Sequence, residues 1–344
     1  MATVFNQDRE GKLAQTASGQ VSYAIETAGL TKSFGKVKAV TKLDLRVEQG
    51  SLYALLGPNG AGKTTTINLL TTLIGPDSGM ASVAGYDVVK QPLMVRRNIG
   101  VTFQEVALDR NLTGRSLLDI HGRLYQLPSK EIKKRTAQLV ELVELEEVLD
   151  RPVKTYSGGM KRRLELARGL LTEPHILFLD EPTVGLDPHN RERIWAYLQD
   201  LRTHQKITIM LTTHYLDEAE KLADKVGIID EGKLVVEGSP NNLIASLGTD
   251  IIKLTGRGEL EKFQEALREQ DWIAAFRVAS ESGSEEETGG TTDVLINLTS
   301  EAGRAVKPLV DLAERSGFSV EDFSLQRPTL NEVFFKYTGR RLRD

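Results

Sequence analysis

The stretch Gly57-Pro58-Asn59-Gly60-Ala61-Gly62-Lys63-Thr64-Thr65 constrains this chain more than any other. It fits G-x-x-x-x-G-K-[ST], with Thr64 closing the pattern. Residues 51–56 read as a buried strand before it, and residues 65–73 as a helix after it, with Ile67, Leu69, Leu70 and Leu73 apolar. Each residue type has a physical reason. Glycines at 57, 60 and 62 let the chain curl so that backbone N–H groups point inward at phosphate oxygens. The helix start adds partial positive charge. Lys63 reaches the β- and γ-phosphates, and the Thr64 hydroxyl ligates Mg²⁺. Strand, loop and helix together read as a nucleoside-triphosphate site.

Composition narrows the class. At 344 residues the chain is long for one domain and comfortable for two. Lys+Arg at 44 against Asp+Glu at 48 leaves a net charge of -4, which argues against a general nucleic-acid binder. The absence of cysteine excludes disulfides and Cys-ligated zinc. No apolar run reaches the length of a membrane span and the N-terminus lacks a signal-peptide core, so a soluble, cytoplasmic chain is expected.

Residues 1–23 are polar and aperiodic and read as a loose arm. Residues 24–30 and 39–47 look like strands joined by Thr31-Lys32-Ser33-Phe34-Gly35-Lys36. Phe34 on that polar turn either stacks on a flat base or folds back onto the core. Residues 79–88 suggest a further strand, and the run 96–103 leads to Gln104, whose amide oxygen can face Mg²⁺ or water. From 105 to 172 the pattern is helical. Ser129 is the expected N-cap of a helix lined by Ile132, Leu139, Val140 and Val143. Tyr156-Ser157-Gly158-Gly159-Met160 opens another, with Met160, Leu164, Ala167 and Leu171 as its stripe. Its start is either an ordinary cap or a second anion site.

Ile176-Leu177-Phe178-Leu179-Asp180-Glu181-Pro182 is a buried strand ending in two carboxylates. In open α/β sheets ligands lie beyond the carboxyl ends of strands. There Asp180 can hold Mg²⁺ through water, and Glu181 can polarise an attacking water. Gly185-Leu186-Asp187-Pro188 turns into a helix over 190–201. Residues 207–212 form another buried strand ending at Thr213-His214. His214 shares that edge with Lys63 and Asp180, which favours contact with a γ-phosphate. Residues 217–223 read as a helix, and 226–229 with 233–236 as a hairpin around Glu231-Gly232.

Taken in order, these pieces resemble the nucleotide-binding domain of ABC (ATP-binding cassette) proteins over about residues 24–248. The resemblance implies Phe34 as the adenine-stacking aromatic, Gly57 to Thr65 as Walker A and Gln104 as the Q-loop. It implies Ser157-Gly158-Gly159 as the signature, Asp180 and Glu181 as Walker B and the catalytic acid, Gly185-Leu186-Asp187 as the D-loop and His214 as the switch histidine. ATP and Mg²⁺ are the implied cofactors. The nucleotide would meet Phe34, the loop residues Gly57, Pro58, Asn59, Gly60, Ala61, Gly62, Lys63, Thr64 and Thr65, the signature and Asp187. The metal would meet Thr64, Gln104 and Asp180, and catalysis would fall to Glu181, His214, Lys63 and Gln104. The implied fold is a P-loop NTPase cassette over 24–240: a RecA-like α/β core, an antiparallel β subdomain and a helical subdomain at about 105–172.

The common signature has Leu where this chain has Tyr156, and Gln where it has Met160. The runs 156–163 (YSGGMKRR), 212–220 (TTHYLDEAE) and 327–334 (RPTLNEVF) are similar to the daunorubicin-resistance type of bacterial ABC-2 exporter ATPase. That likeness implies two chains, identical or homologous, sandwiching two ATP head to tail. It also implies a separate integral-membrane permease, export of drugs, lipids or other hydrophobic compounds, peripheral placement on the cytoplasmic side of the cell membrane, and no nucleic acid. The permease is expected at 105–112, where Val106, Ala107 and Leu108 either offer an apolar patch for a short partner helix or simply pack inside. Soluble ABC ATPases of ribosomes or DNA resemble tandem cassettes or cassettes split by coiled coils. This chain has one motif set and no sustained heptads. A non-hydrolysing regulatory cassette is disfavoured by the presence of Lys63, Asp180, Glu181 and His214.

Past a junction at 241–249 the pattern resets over 250–344. Strand 251–255, helix 258–270, strands 272–278 and 293–298, helix 301–316 and strand 319–325 give β-α-β-β-α-β, a small α+β ferredoxin-like plait. Residues 281–290 read as an acidic, Gly-rich tip. Leu330, Val333, Phe334 and Tyr337 share one face of a last short helix, followed by Arg340, Arg341 and Arg343. Either the plait itself or a second chain must cover that stripe. With no catalytic constellation, this region reads as an interaction or scaffold domain.

Overall fold

The computed structural model describes residues 22–103, 108–247, 251–282, 291–298, 302–326 and 328–339. The expectations for Gln104, Glu105, Val106, Ala107, Arg340, Arg341 and Arg343 lie outside the described residues, as do those for 1–20 and 283–290. The chain divides into two compact units, one ending at Leu234 and the other beginning at Val235.

In the first unit β1 (Tyr23–Phe34) and β2 (Val37–Glu48) form one long antiparallel hairpin. The segment 31–36 is therefore mostly strand, because Lys32, Ser33 and Phe34 pair with Val40, Lys38 and Val37. Asp77 holds this tip, accepting from the Ser33 N–H at 2.7 Å and from Lys32 Nζ at 2.8 Å. Next come β3 (Leu52–Leu56), buried throughout, and α1 (Lys63–Leu70). β4 (Ser78–Val83) and β5 (Tyr86–Asp87) make a hairpin where one strand was expected, turning at Ala84 and Gly85, which both have positive φ. The resulting sheet runs β2-β1-β4-β5.

α2 (Pro92–Asn98) precedes β6 (Ile99–Thr102). The helical region holds α3 (Gly114–Leu124), α4 (Ser129–Leu142) and α5 (Gly158–Leu170). Ser129 is not the cap of α4. Pro128 holds the N-cap position in an extended conformation with no side-chain bond, and Ser129 is the first helical residue. The fixed φ of proline makes the entry turn, and Glu131 adds negative charge to the first turn.

The core sheet is completed by β7 (Ile176–Asp180), α6 (Pro188–Gln205), β8 (Thr208–Thr213), α7 (Leu216–Leu222), β9 (Lys225–Asp230) and β10 (Lys233–Gly238). Its order is β10-β9-β3-β8-β7-β6. The pairs β6/β7, β7/β8, β3/β8 and β3/β9 are all parallel. Buried on both faces, β7 reads as an unbroken apolar run, and each such side chain contributes about 1.5–3 kcal/mol. Parallel register also aligns the carboxyl ends: Leu56 pairs with Thr213 and Asp180 with Thr212. The residues that follow, Gly57, Glu181 and His214, thus start at one edge.

The second unit contains α8 (Pro240–Ala245), β11 (Ile251–Gly258), α9 (Leu260–Arg268), β12 (Ile273–Ser282), β13 (Thr291–Leu298), α10 (Ala302–Arg315), β14 (Phe318–Gln326) and α11 (Leu330–Thr338). Its antiparallel sheet, ordered β12-β13-β11-β14, has the expected plait topology. Leu254, Phe263, Ile296, Leu309 and Phe318 lie in its core, with the Phe263 and Phe318 rings stacked at 4.8 Å. α8 occupies part of the stretch read as a junction. Leu330, Val333 and Phe334 are fully buried, and α11 packs on α8. Arg277 of β12 meets Glu332 at 3.2 Å and lies over the Phe335 ring. The stripe on α11 is thus already covered within the chain, apart from the half-exposed Tyr337. Truncating the ring by Phe334→Ala should cost about 3–5 kcal/mol in urea unfolding of this unit. Nucleotide affinity should stay unchanged, and a loss near zero would mean that the ring is not packed here.

Candidate active site

The phosphate loop leaves β3 at Gly57 and enters α1 at Lys63. A Cβ at Gly57 would lie 2.4 Å from the Ile229 carbonyl oxygen, and one at Gly62 would lie 2.3 Å from that of Ala39. Gly62 also has φ 105, so both glycines are required by backbone packing as well as by phosphate approach. Asn59, Gly60 and Thr64 are exposed, whereas Gly57, Ala61, Gly62 and Lys63 are buried. Pro58 and Thr65 are half-buried. Lys63 Nζ donates to the carbonyls of Gly57 at 2.7 Å and Pro58 at 3.2 Å, and lies 3.3 Å from Glu181 Oε1. Burial pulls the Lys63 ammonium below its ordinary pKa, opposed by Glu181 and Asp180.

Asp180 ends β7 with its side chain wholly buried. Its Oδ1 accepts from Thr212 Oγ1 at 2.5 Å, while Oδ2 has no partner among the described residues. Glu181 then adopts the left-handed region, φ 50, and donates its N–H to both Thr212 oxygens at 3.1 Å. That backbone aims its carboxylate along the edge, where Oε1 lies 3.1 Å from His214 Nδ1 as well as beside Lys63. Lys63 from the start of α1 and His214 from the end of β8 thus converge on one oxygen of Glu181, at the end of β7. Thr212 was not singled out from the sequence. A threonine at a strand end carries little signal by itself.

The other expected residues sit on separate elements. Phe34 is 52% exposed at the β1–β2 tip, so its ring is not folded onto the core. Ser157 caps α5, accepting from the Met160 N–H at 3.2 Å, while Met160 Sδ accepts from the Ser157 N–H at 3.5 Å. Gly158 is exposed and Gly159 half-buried. Tyr156 is buried, and its hydroxyl donates to the Val148 carbonyl at 2.6 Å. Asp187 caps α6 through the Asn190 N–H at 3.0 Å, and these bonds hold its carboxyl below the usual range. Leu108 is buried, the packed-inside alternative of the two.

Three buried charged residues, Arg162, Glu165 and Glu218, escaped the sequence reading, because a charge on an amphipathic helix ordinarily faces solvent. Arg162 on α5 reaches the turn after β7. Glu218 on α7 accepts from Thr183 Oγ1 at 2.9 Å and Trp195 Nε1 at 3.0 Å. It thereby ties the segment after Glu181, the helix α6 and the segment after His214. Burial pushes the Glu218 carboxyl up, against the donors Thr213, Trp195 and Thr183 and the charge of Arg191.

The donor set suits a magnesium nucleotide. Asp180 offers a buried carboxylate oxygen with no partner among the described residues, and Thr64 is an exposed residue with a hydroxyl. Among the described residues no cluster of three or more His, Cys, Asp or Glu forms a cage. Mg²⁺ is held in that manner, by one or two protein oxygens with phosphates and water as the remaining ligands.

The parallel sheet, the glycine loop and this edge define an ATP-hydrolysing cassette. A family model described as ABC transporter matches residues 40–184. Daunorubicin resistance ATP-binding protein DrrA3 of Streptomyces coeruleorubidus is 40% identical over 320 residues, 92% of this chain and 96% of that protein. Daunorubicin/doxorubicin resistance ATP-binding protein DrrA of Streptomyces peucetius is 39% identical over 325 residues, 93% of this chain and 94% of its own. A solved ATP-binding subunit of an ABC transporter superposes with a TM-score of 0.61 at 27% identity, covering 65% of this chain and 92% of that one. The chain belongs to the ABC transporter family, and daunorubicin-resistance ATP-binding proteins are among its relatives. It binds nucleotide and hydrolyses ATP, and subunits of this kind dimerise and work with membrane permeases.

Glu218 supplies a pH test. Its carboxyl is raised in the folded chain, so its contribution to stability is complete below the ordinary value of 4.5 and is lost as pH rises through the raised value. Glu218→Gln keeps an acceptor for Thr183 and Trp195 without ionising. The melting temperature of the variant should gain on the native chain from about pH 5 upward. A constant difference across pH would show that Glu218 ionises normally.

Proposed function

We propose that this chain is the ATP-hydrolysing subunit of an ABC-2 type exporter. It closes with a second copy, or a homologous subunit, around two Mg-ATP and drives a separate permease that exports drugs or other hydrophobic compounds. The convergence of Lys63 and His214 on one carboxylate oxygen of Glu181 carries the hydrolytic part of this reading. The drug-resistance names of the relatives support the export part.

On this reading Phe34 stacks on adenine, and the N–H groups of residues 57–65 together with Lys63 hold the phosphates. Thr64, Asp180 and Gln104 hold Mg²⁺, which when bound neutralises charge on the β- and γ-phosphate oxygens. Glu181 accepts a hydrogen bond from the attacking water and orients it in line with the γ-phosphorus. The new O–P bond forms as the bond to the bridging oxygen breaks, leaving ADP and phosphate. His214 steadies Glu181 and the γ-phosphate. Ser157, Gly158 and Gly159 of one chain, with Asp187, complete the nucleotide site of the other. The γ-phosphate is the contact that differs between closed and open pairs.

For the permease we propose a cleft of about 240 Å³ lined by Leu73, Phe103, His121 and Tyr125, beside the exposed Ile120 and Leu124 of α3. Burial, with help from Arg168, lowers the His121 pKa to about 4, so the cleft carries no imidazolium at neutral pH. Arg96 and Arg168 line the same cleft, so it suits a short amphipathic helix, apolar on one face and acidic on the other, at the cytoplasmic side of a membrane. Among the described residues no helix is long and apolar enough to cross one, so the span would come from the permease.

Glu181→Gln should retain ATP binding and lower turnover by about a hundredfold or more, trapping an ATP-bound dimer in sedimentation. Turnover near that of the native chain would remove Glu181 from the chemistry. The natural chain has no cysteine, so Tyr125→Cys provides a unique crosslinking site. It should crosslink to the co-expressed permease, and crosslinks confined to other faces would move the docking surface.

A further inference from the structure

Arg162 is a fully bonded charged side chain near the catalytic edge. A guanidinium has five N–H donors in a fixed planar fork. Nε donates to the Pro182 carbonyl at 3.2 Å. Nη1 donates to the Phe103 carbonyl and to Glu165 Oε2, the latter at 3.3 Å. Nη2 donates to the carbonyls of Asp180 at 2.5 Å and Glu181 at 2.7 Å. Each donor therefore has an acceptor, and three consecutive carbonyls, of Asp180, Glu181 and Pro182, converge on one side chain.

The location gives this fork a consequence. Glu181 is held at φ 50, a conformation that costs a non-glycine residue energy and must be imposed by its surroundings. Thr212 fixes the N–H side of the Glu181 backbone, and Arg162 fixes the carbonyl side. With both ends held, the direction of the catalytic carboxylate follows. Arg162 also lies on α5, the helix opened by Ser157, and reaches Phe103, the residue directly after β6. Burying a guanidinium here is a poor route to stability alone, since an apolar side chain of similar volume often serves a core as well or better.

We propose that Arg162 is a positioning residue for hydrolysis: it locks the turn that aims Glu181 and makes that turn move as one piece with the signature helix α5. The proposal rests on the reading of Glu181 as the group that orients water. Lysine cannot replace the fork, because an ammonium has three donors and no plane.

The test compares native chain, Arg162→Lys, Glu181→Gln and the double variant, with turnover measured in the assembled transporter and ATP affinity on the full chain. Arg162→Lys should lower kcat about tenfold to a hundredfold, as misplacement of a catalytic group does, and leave the Kd for Mg-ATP within about twofold. On the Glu181→Gln background the same change should move the residual rate by less than about twofold, because the group it positions is already gone. A purely structural role would instead weaken ATP binding in parallel, or lower the rate equally on both backgrounds. Either result overturns the proposal. Native-like turnover of Arg162→Lys beside an inactive Glu181→Gln would also sink it, while leaving the base assignment standing. An active Glu181→Gln would remove that assignment first. If Arg162→Lys does not fold, Glu165→Gln neutralises the charged acceptor of Nη1, and Arg168→Gln is the control for the second pair that Glu165 makes, with Arg168 at 3.3 Å. Glu165→Gln should lower kcat severalfold at unchanged Kd, and an unchanged kcat overturns the link.

Discussion

A buried ammonium and a buried carboxylate 3.3 Å apart, Lys63 and Glu181, set the terms for the catalytic edge. Each is only 4% exposed, and taking such ions out of water costs several kcal/mol apiece unless they meet each other and further polar groups. Their meeting depends on distant parts of the chain. Lys63 arrives through a loop that two close backbone approaches restrict to glycine at 57 and 62. Glu181 arrives at the end of a strand whose register against β8 is fixed, and His214 arrives at the end of β8 itself. On the proposed reading a γ-phosphate competes with Glu181 for the lysine. The carboxylate that now neutralises Lys63 would then turn to the water. One pair thus links binding to catalysis.

Around it, two buried charges divide the scaffolding. Arg162 gathers the carbonyls after β7, and Glu218 joins Thr183 to Trp195. Arg191 adds a second tie between α6 and the segment after His214, stacking over Tyr215 at 4.3 Å and lying 3.7 Å from Asp217. Networks of this kind are stiff when satisfied and expensive when one member is lost. They hold several backbone segments to one geometry, which apolar packing does less specifically.

Much of this was legible because motif and fold coincide. The apolar runs of β3, β7 and β8, with a special residue after each, put Lys63, Asp180 and His214 at one sheet edge on sequence alone. The β-α-β-β-α-β order of the second unit was equally readable, since period-2 and period-3.6 stretches alternate cleanly there. What sequence could not show has physical causes. Phe34 looked like a loop residue because the strand positions beside it are polar, and only pairing across the hairpin reveals the strand. Ser129 looked like a cap because proline can make the same entry without a side-chain bond. Arg162 and Glu218 were invisible because burial of a charge depends on distant acceptors and donors, which leave no local pattern. The stripe of α11 left two occupants open, and α8, hidden in a stretch read as junction, resolved it in favour of the chain itself.

The departure from the common signature at position 160 has a local explanation of the same kind. A helix start needs an acceptor for the N-cap N–H and another for the N–H of the third residue. Ser157 supplies the second through its hydroxyl. Met160 supplies the first through a thioether sulfur, a weaker acceptor than an amide oxygen but long and flexible enough to reach. The residue at 160 therefore serves the helix on which it sits, whereas Ser157 and the glycines behind it remain at the exposed end. On the proposed reading the anion contact belongs to Ser157 and the backbone N–H groups. Substitution at 160 is then tolerable wherever the replacement can still reach back to the cap, and Tyr156, anchored by its hydroxyl to Val148, fixes the approach to that helix from the other side.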